Sequence, residues 1–254
     1  MIGVVPDLAE QLSLNFLRTI CHRLQGIYAP GARIIICADG HVFSDLVHIP
    51  DSDIVSYQAK LTVMVGETGP GTLGVFGLDR EYGGRAYEKM RLLLMEHYGD
   101  DVEELKQQVR GGGDLLTLYR GITRFLLDDA DGPDPKKSRA ALQRECRERA
   151  YGVIQRSRAW GRLIAERFPE AVRLSIHPQP CGSDKLGIKL LEASDNWITP
   201  WHGVAVEVGD RFVLMKRYHA EALGADLVYL HGRPSHYVAR QPHISSRSSS
   251  ALVA

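Results

Sequence analysis

The chain has no excess of either charge. Lys plus Arg and Asp plus Glu each number 31, for a formal net charge of +0. It therefore lacks the basic footprint that phosphate backbones require, and nucleic acid is not an expected partner. No apolar run approaches the roughly 18 to 20 residues that span a bilayer. The first residues also lack the basic region and apolar core of a secretory signal. The expectation is a soluble, cytoplasmic protein that makes no use of a membrane. Cysteine is scarce: Cys21, Cys37, Cys146 and Cys181 stand far apart with no Cys-x-x-Cys pair, so neither a zinc site nor a dithiol centre is expected. The ten histidines contain no His-Glu-x-x-His, and the chemistry is expected to run without a metal.

Apolar material for a core is present. With 44% hydrophobic residues over 254 positions, the chain suits one α/β domain covering residues 1–242. Residues 243–254, with a Ser-Ser-Arg-Ser-Ser-Ser stretch, have little to bury and read as a disordered tail. Asp7 and Glu10 form a capping box ahead of Leu8, Leu12, Phe16, Ile20 and Leu24 at helical spacing. That helix should end before Pro30 and Gly31. Arg33 to Ala38 reads as a short buried strand closing on Asp39 and Gly40. Asp51 to Met64 reads as a helix entering a strand. Helical spacing recurs over 85–98, 101–109 and 114–127, and an acidic loop over 128–135 precedes a long, mostly exposed helix over 136–168 whose arginines face solvent.

Val172 to Ile176 reads as a buried strand stopped by Pro178, with His177 at its carboxyl end, where open α/β sheets bind ligands. Strands follow at 186–191, 204–208 and 211–216, the last two joined through Gly209 and Asp210 as a hairpin. The fold expected is therefore a mixed, mainly parallel sheet flanked by helices, with antiparallel carboxyl-terminal strands.

Gly69, Gly71 and Gly74 spell Gly-x-Gly-x-x-Gly after the apolar run Leu61 to Val65. A dinucleotide fingerprint needs its third glycine to open a helix, whereas 75–84 holds three more glycines and no helical period. A flexible glycine-rich loop fits better, and a nucleotide-dependent Rossmann enzyme is kept only as an alternative. Asp39 and Asp45 flank a turn; they can serve as general bases or grip an ammonium group, or simply cap a turn and a helix. His177 titrates near neutral pH unless perturbed. With Arg173, Lys185 and His202 close by in sequence, it suits an anionic substrate such as a phosphate or carboxylate. Trp201 reads equally as core or as an aromatic wall.

These residues carry a family resemblance. Asp39-Gly-His-Val-Phe-Ser-Asp45-Leu-Val, then Tyr57, then Arg173-Leu-Ser175-Ile-His177-Pro, Lys185, and Thr199-Pro-Trp201-His202-Gly203 resemble the isocyanide (isonitrile) synthases, the family of the pyoverdine/dityrosine biosynthesis proteins. The resemblance runs from about Val4 to Tyr237. It implies a Rossmann-like enzyme of secondary metabolism that turns the amino group of tyrosine or tryptophan into an isonitrile, with ribulose 5-phosphate as carbon donor. The nitrogen condenses with the sugar's C2 ketone, protons shift, phosphate leaves, and carbon-carbon cleavage of the lyase type leaves C2 on nitrogen. No cofactor is implied. The resemblance further assigns His177, His202, Asp39 and Asp45 to proton transfer or ammonium binding. Arg173, Ser175, Lys185, Trp201 and Tyr57 fall to substrate binding, and an iron- and oxoglutarate-dependent oxygenase is the implied pathway partner. Family members also carry an upstream Phe-Pro-x-Lys-Ser-x-Asn phrase that is not in this sequence, so a truncated, non-catalytic binder of a phosphosugar or amino acid is the second alternative.

Overall fold

A computed structural model describes residues 5–130, 138–177, 179, 182–195 and 198–240. Contacts group the chain into two compact units, Cys21–Val172 and Met1–Ile20 with Arg173–Ala254. Helix α1 (Leu8–Gln25) begins on the expected capping box. The Ala9 N–H donates to Asp7 Oδ1 and the Asp7 N–H donates to Glu10 Oε2, both at 2.8 Å, so two otherwise orphaned donors are satisfied. The expected tail at 243–254 and most of the acidic loop at 128–135 lie outside the described residues.

In the Cys21–Val172 unit, β1 (Ile34–Ala38), the short α2 (Gly40–Phe43), α3 (Asp51–Thr68) and β2 (Leu73–Gly77) follow in order. The two strands pair in parallel, from Ile34 opposite Leu73 to Ala38 opposite Gly77, and α3 supplies the crossover that a parallel pair needs. The expected helix entering a strand over Asp51 to Met64 is helix throughout, and the apolar run Leu61 to Val65 belongs to α3. Leu61, Val65 and Thr68 are buried at helical spacing while Val63 between them is exposed; the helical period prevails over the β-branched composition.

The glycine motif then runs in the opposite order to a dinucleotide site. Gly69 caps α3, Gly71 makes the turn at φ +79°, and Gly74 lies inside β2. Helix, turn, strand presents no helix amino end at the third glycine. The segment is also not a flexible loop, since 73–77 is paired strand and α4 (Leu78–Tyr82) follows directly.

Helices α5 (Tyr87–Tyr98), α6 (Val102–Arg110), α7 (Gly113–Ala130) and α8 (Arg139–Arg167) complete this unit. Val42, Leu78, Leu94, Trp160 and Leu163 share one buried cluster, each large apolar side chain contributing about 1.5–3 kcal/mol. Helix α8 is not the exposed helix expected. It buries Cys146, Ala150 and Ile154 at intervals of four, then Ala159, Trp160 and Leu163. Three of its arginines form ion pairs while staying partly exposed: Arg158 and Arg162 bind Asp100, and Arg167 binds Glu81 through two nitrogens.

The second unit adds β3 (Leu174–Ser175), β4 (Leu186–Gly187), β5 (Glu192–Ala193), a 3-10 turn at Pro200–His202, β6 (Val204–Val208), β7 (Arg211–Met215), α9 (Arg217–Ala222), β8 (Asp226–Leu230) and β9 (Arg233–Val238). The described strands form three sheets rather than one: parallel β1–β2, parallel β3–β4, and a five-stranded sheet ordered β5-β7-β6-β9-β8. That last sheet is not mainly parallel. Pairs β6–β7 and β8–β9 are antiparallel, as expected for the carboxyl region, while β5–β7 and β6–β9 are parallel. The tight turn at Gly209, φ +66°, leaves β6 and β7 no other choice, because a two-residue connection cannot carry a crossover. The buried strand expected over 172–176 shrinks to the two residues of β3. Val172 is 73% exposed and Leu174 42%, and the paired Leu186 is 60% exposed, so apolar composition there did not translate into burial. The strand expected over 186–191 likewise contracts to β4.

Candidate active site

The turn after β1 places two of the expected acids. Asp39 follows the strand directly and precedes α2, half-buried. Burial pushes its carboxyl up to about 6, against a smaller lowering by its own backbone N–H, so it exchanges a proton near neutral pH. Asp45 is in the opposite state. Arg156 of α8 donates Nη1 to Oδ1 and Nη2 to Oδ2, the latter at 2.8 Å, and Arg91 Nε lies 3.6 Å from Oδ1. Partial burial works upward on Asp45, yet these guanidiniums hold it below the usual carboxylate range. An acid gripped this way is a poor proton acceptor at pH 7. Tyr57 sits half-buried in α3.

Between these acids lies a network that sequence reasoning missed. Asp51, the first residue of α3, accepts from Ser44 Oγ at 2.8 Å and from Arg91 Nη1 at 3.0 Å, and contacts His41 Nδ1 at 2.9 Å. Arg91 Nη1 also donates to Ser44 Oγ at 2.8 Å and to the His41 carbonyl at 3.1 Å. Burial raises the Asp51 carboxyl, but hydrogen bonds from Arg91, His41 and Ser44 outweigh it and keep it a carboxylate. An ionised carboxylate only accepts, so the proton sits on His41 Nδ1 and Nε2 carries a lone pair. Burial, partly offset by Asp51, lowers the His41 pKa and keeps the ring neutral. The ring stacks on Tyr87 at 3.6 Å and 8°. His41 and Ser44 both lie inside the Asp39-to-Asp45 phrase, so the signal was in view; Arg91, forty residues from Asp51, left no local trace.

The remaining expected residues gather in the second unit. The His177 N–H donates to Ser175 Oγ at 3.3 Å, and Gln179 Nε2 donates to Ser175 Oγ at 2.9 Å and to the His177 carbonyl at 3.1 Å. Ser183 Oγ donates to Gln179 Oε1 at 3.0 Å and accepts from the Lys185 N–H at 3.2 Å. This chain of short polar bonds ties the His177 turn to the Lys185 turn. Burial first, and the Lys185 charge second, lower the His177 pKa. Burial and then Arg173 lower that of Lys185, with Asp184 opposing. Arg173 is itself paired with Asp184 at 2.7 Å. His202 is pushed down to about 4 by desolvation and then by His177, although the residue as a whole is exposed, and its Nδ1 lies 3.1 Å from Thr199 Oγ1. Trp201 meets the His202 ring edge-on at 6.0 Å.

Gly203 closes this turn of necessity: a Cβ there would stand 2.7 Å from Ile198 Cγ2 and 3.1 Å from the Met215 carbonyl. A cavity of about 260 Å³ opens beside His177, walled by Ile188, Leu191, Ile198, Thr199 and Leu214. That is just under the range for drug-sized ligands and suits a single small apolar group. Among the described residues no three of His, Cys, Asp or Glu converge as metal ligands, and no helix is long and apolar enough to cross a membrane.

Comparison with known proteins agrees over nearly the whole chain. Residues 1–228 match the family described as pyoverdine/dityrosine biosynthesis protein. An L-tyrosine isonitrile synthase of Pseudomonas aeruginosa is 51% identical over 236 residues, 91% of this chain and 72% of that protein. The L-tryptophan isonitrile synthase AmbI2 of Fischerella ambigua is 41% identical, covering 97% of this chain and 75% of that protein. The crystal structure of PvcA from Pseudomonas aeruginosa superposes with a TM-score of 0.86 at 51% identity, over 92% of this chain and 76% of that one. The mixed α/β architecture is therefore shared with a solved relative, and with identity this high across three-quarters of proteins that make isonitriles, the chain belongs to the pyoverdine/dityrosine biosynthesis family of isonitrile synthases.

Proposed function

We propose that this chain converts the amino group of an aromatic L-amino acid, tyrosine or tryptophan, into an isonitrile with ribulose 5-phosphate as carbon donor. The observation that carries the reading is the grouping of Arg173, Lys185, His177 and His202 in one turn region, mutually coupled through charge, in a chain of this family. Such a reaction must neutralise a phosphate and a carboxylate, and must move protons during imine formation, phosphate release and carbon-carbon cleavage. Arg173 and Lys185 anchor the anionic groups. His177 and His202, both neutral at pH 7, accept protons and return them, and Ser175 braces the His177 backbone. Asp39, with its carboxyl near 6, is the base of the acidic pair, and Asp45 holds the turn in place through Arg156. Trp201 and the cavity beside His177 are assigned to the aromatic side chain, and Tyr57 is kept as a substrate-binding residue. The parallel β1–α3–β2 crossover, with Asp39 at its carboxyl end, supports the Rossmann-like reading. An iron- and oxoglutarate-dependent oxygenase would consume the isonitrile.

The test is incubation of the protein with tyrosine or tryptophan and ribulose 5-phosphate, following phosphate release and the isonitrile by mass spectrometry. Turnover with neither amino acid would defeat the reading. Unchanged turnover after replacement of His177 and Lys185 would defeat these assignments.

A further inference from the structure

The 3-10 turn that carries His202 hangs on Thr199. Pro200 keeps the residue before it out of the helical region, and Thr199 is extended at φ −115° and ψ 163°. Its carbonyl caps the turn, accepting from the His202 N–H at 2.9 Å and the Gly203 N–H at 3.0 Å. Its Oγ1 comes back to the same histidine and lies 3.1 Å from the ring Nδ1. Thr199 is 2% exposed and forms part of the wall of the cavity beside His177. Only one direction of the Oγ1–Nδ1 bond satisfies the buried hydroxyl. Among the described residues Nδ1 is its one partner. A hydroxyl that merely accepted there would bury its own hydrogen unused, whereas one that donates leaves only lone pairs idle, and orphaned donors are the rarer and costlier case. The hydroxyl therefore donates and Nδ1 accepts. Desolvation first, and His177 next, hold the ring below the usual imidazole range, so it carries a single proton at pH 7, and that proton stands on Nε2. The edge-on contact with Trp201 at 6.0 Å restrains the same ring from a second side.

We propose that Thr199 is a positioning residue for His202: its hydroxyl fixes the ring with hydrogen on Nε2, so that His202 offers a hydrogen bond to a substrate oxygen and leaves proton acceptance to His177. A neutral imidazole in this state polarises a carbonyl, or steadies the oxyanion that develops from it, without giving up its proton. Addition of an amino group to the ketone of the carbon donor calls for such a group. This rests on the synthase reading given above and adds a residue that reading does not use; the tautomer itself is independent of turnover.

Proton–nitrogen correlation NMR of the whole protein, labelled on its histidine nitrogens, reads the tautomer, and the His202 signals are identified by their loss in His202→Gln. At pH 7 wild type should show hydrogen on Nε2 and none on Nδ1. Thr199→Val keeps the shape of the side chain and the capping carbonyl but loses the hydroxyl. Its Nδ1 resonance should move to that of an unbonded ring nitrogen, and kcat for phosphate release should fall roughly tenfold, the upper size of one neutral hydrogen bond, with KM for the amino acid unchanged. Thr199→Ser should restore both. Hydrogen on Nδ1 in wild type, a Thr199→Val enzyme with wild-type kcat, or a Thr199→Ser enzyme as impaired as Thr199→Val would overturn the assignment, and the wild-type spectrum decides even where Thr199→Val fails to fold. Hydrogen on Nε2 in a wild type that releases no phosphate defeats the synthase reading and leaves the hold of Thr199 on the tautomer standing.

Discussion

The turn after β1 and the region from Arg173 to Gly203 collect opposite chemistries and are braced by different means. Around β1 the groups are acidic, and a buried guanidinium organises them: Arg91 holds Asp51, Ser44 and the His41 carbonyl at once, and Arg156 clamps Asp45. Around His177 the groups are basic and little ion pairing braces them. Ser175, Gln179 and Ser183 stitch the turn through neutral hydrogen bonds, and Gly203 lets the backbone pass. The difference follows from charge. A carboxylate cluster needs a cation to stay ionised under partial burial, whereas neutral imidazoles need none and are kept neutral by burial itself.

Four measurements would break or sharpen this contrast. Arg91→Met should have the largest effect. It strips a buried partner from Asp51 and should cost about 3 kcal/mol in urea unfolding, since orphaning one half of a buried pair is expensive; a loss under 1 kcal/mol would mean the network is not what braces the acidic turn. Asp39→Asn should lower the rate of phosphate release about 100-fold, the usual yield of a general base. The same variant should be more stable than wild type at pH 8 by roughly 1–2 kcal/mol, reduced for partial exposure. The folded Asp39 titrates near 6 and the unfolded residue near the ordinary carboxylate value, so the native state holds its proton more tightly and loses stability as pH rises through that window. The advantage should vanish near pH 4, and a variant equally stabilised at both pH values would contradict the raised carboxyl.

Gly203→Ala addresses the basic region. With φ −124° and ψ −177° the backbone tolerates alanine, so the cost comes from the methyl against Ile198 and the Met215 carbonyl, about 2 kcal/mol by thermal unfolding. Asp184→Asn should be smallest. Asp184 is largely exposed although Arg173 is half-buried, and losing the pair should cost under about 1 kcal/mol. It also removes the one charge that raises the Lys185 pKa, so the pH at which Lys185 becomes reactive to an amine reagent should fall. A rise would reverse the assigned electrostatics.

The helices were legible wherever caps and spacing agreed, as at Asp7–Glu10 ahead of α1. The β6–β7 hairpin was legible from its two-residue turn. The strand expected to follow the helix within Asp51 to Met64 did not form there: Leu61 and Val65 are buried at helical spacing and α3 runs on to Thr68. Helix α8 read as exposed because arginines are spread along its whole length, yet Asp45, Asp100 and Glu81 engage four of them while Cys146, Ala150 and Ile154 turn inward. The candidate site was legible as a list of residue types, and the state of each was not. Nothing in the sequence separates an Asp39 near 6 from an Asp45 held low by Arg156, 111 residues away.

Local order, the family and the inventory of acids, imidazoles and cations were readable from residue order alone, because caps, turns and motif phrases act over a few neighbours. Protonation states and the Arg91 network came only with folding. Electrostatic environment and unfilled space depend on which distant groups share a volume, and that is a property of packing in three dimensions rather than of neighbouring positions on the chain.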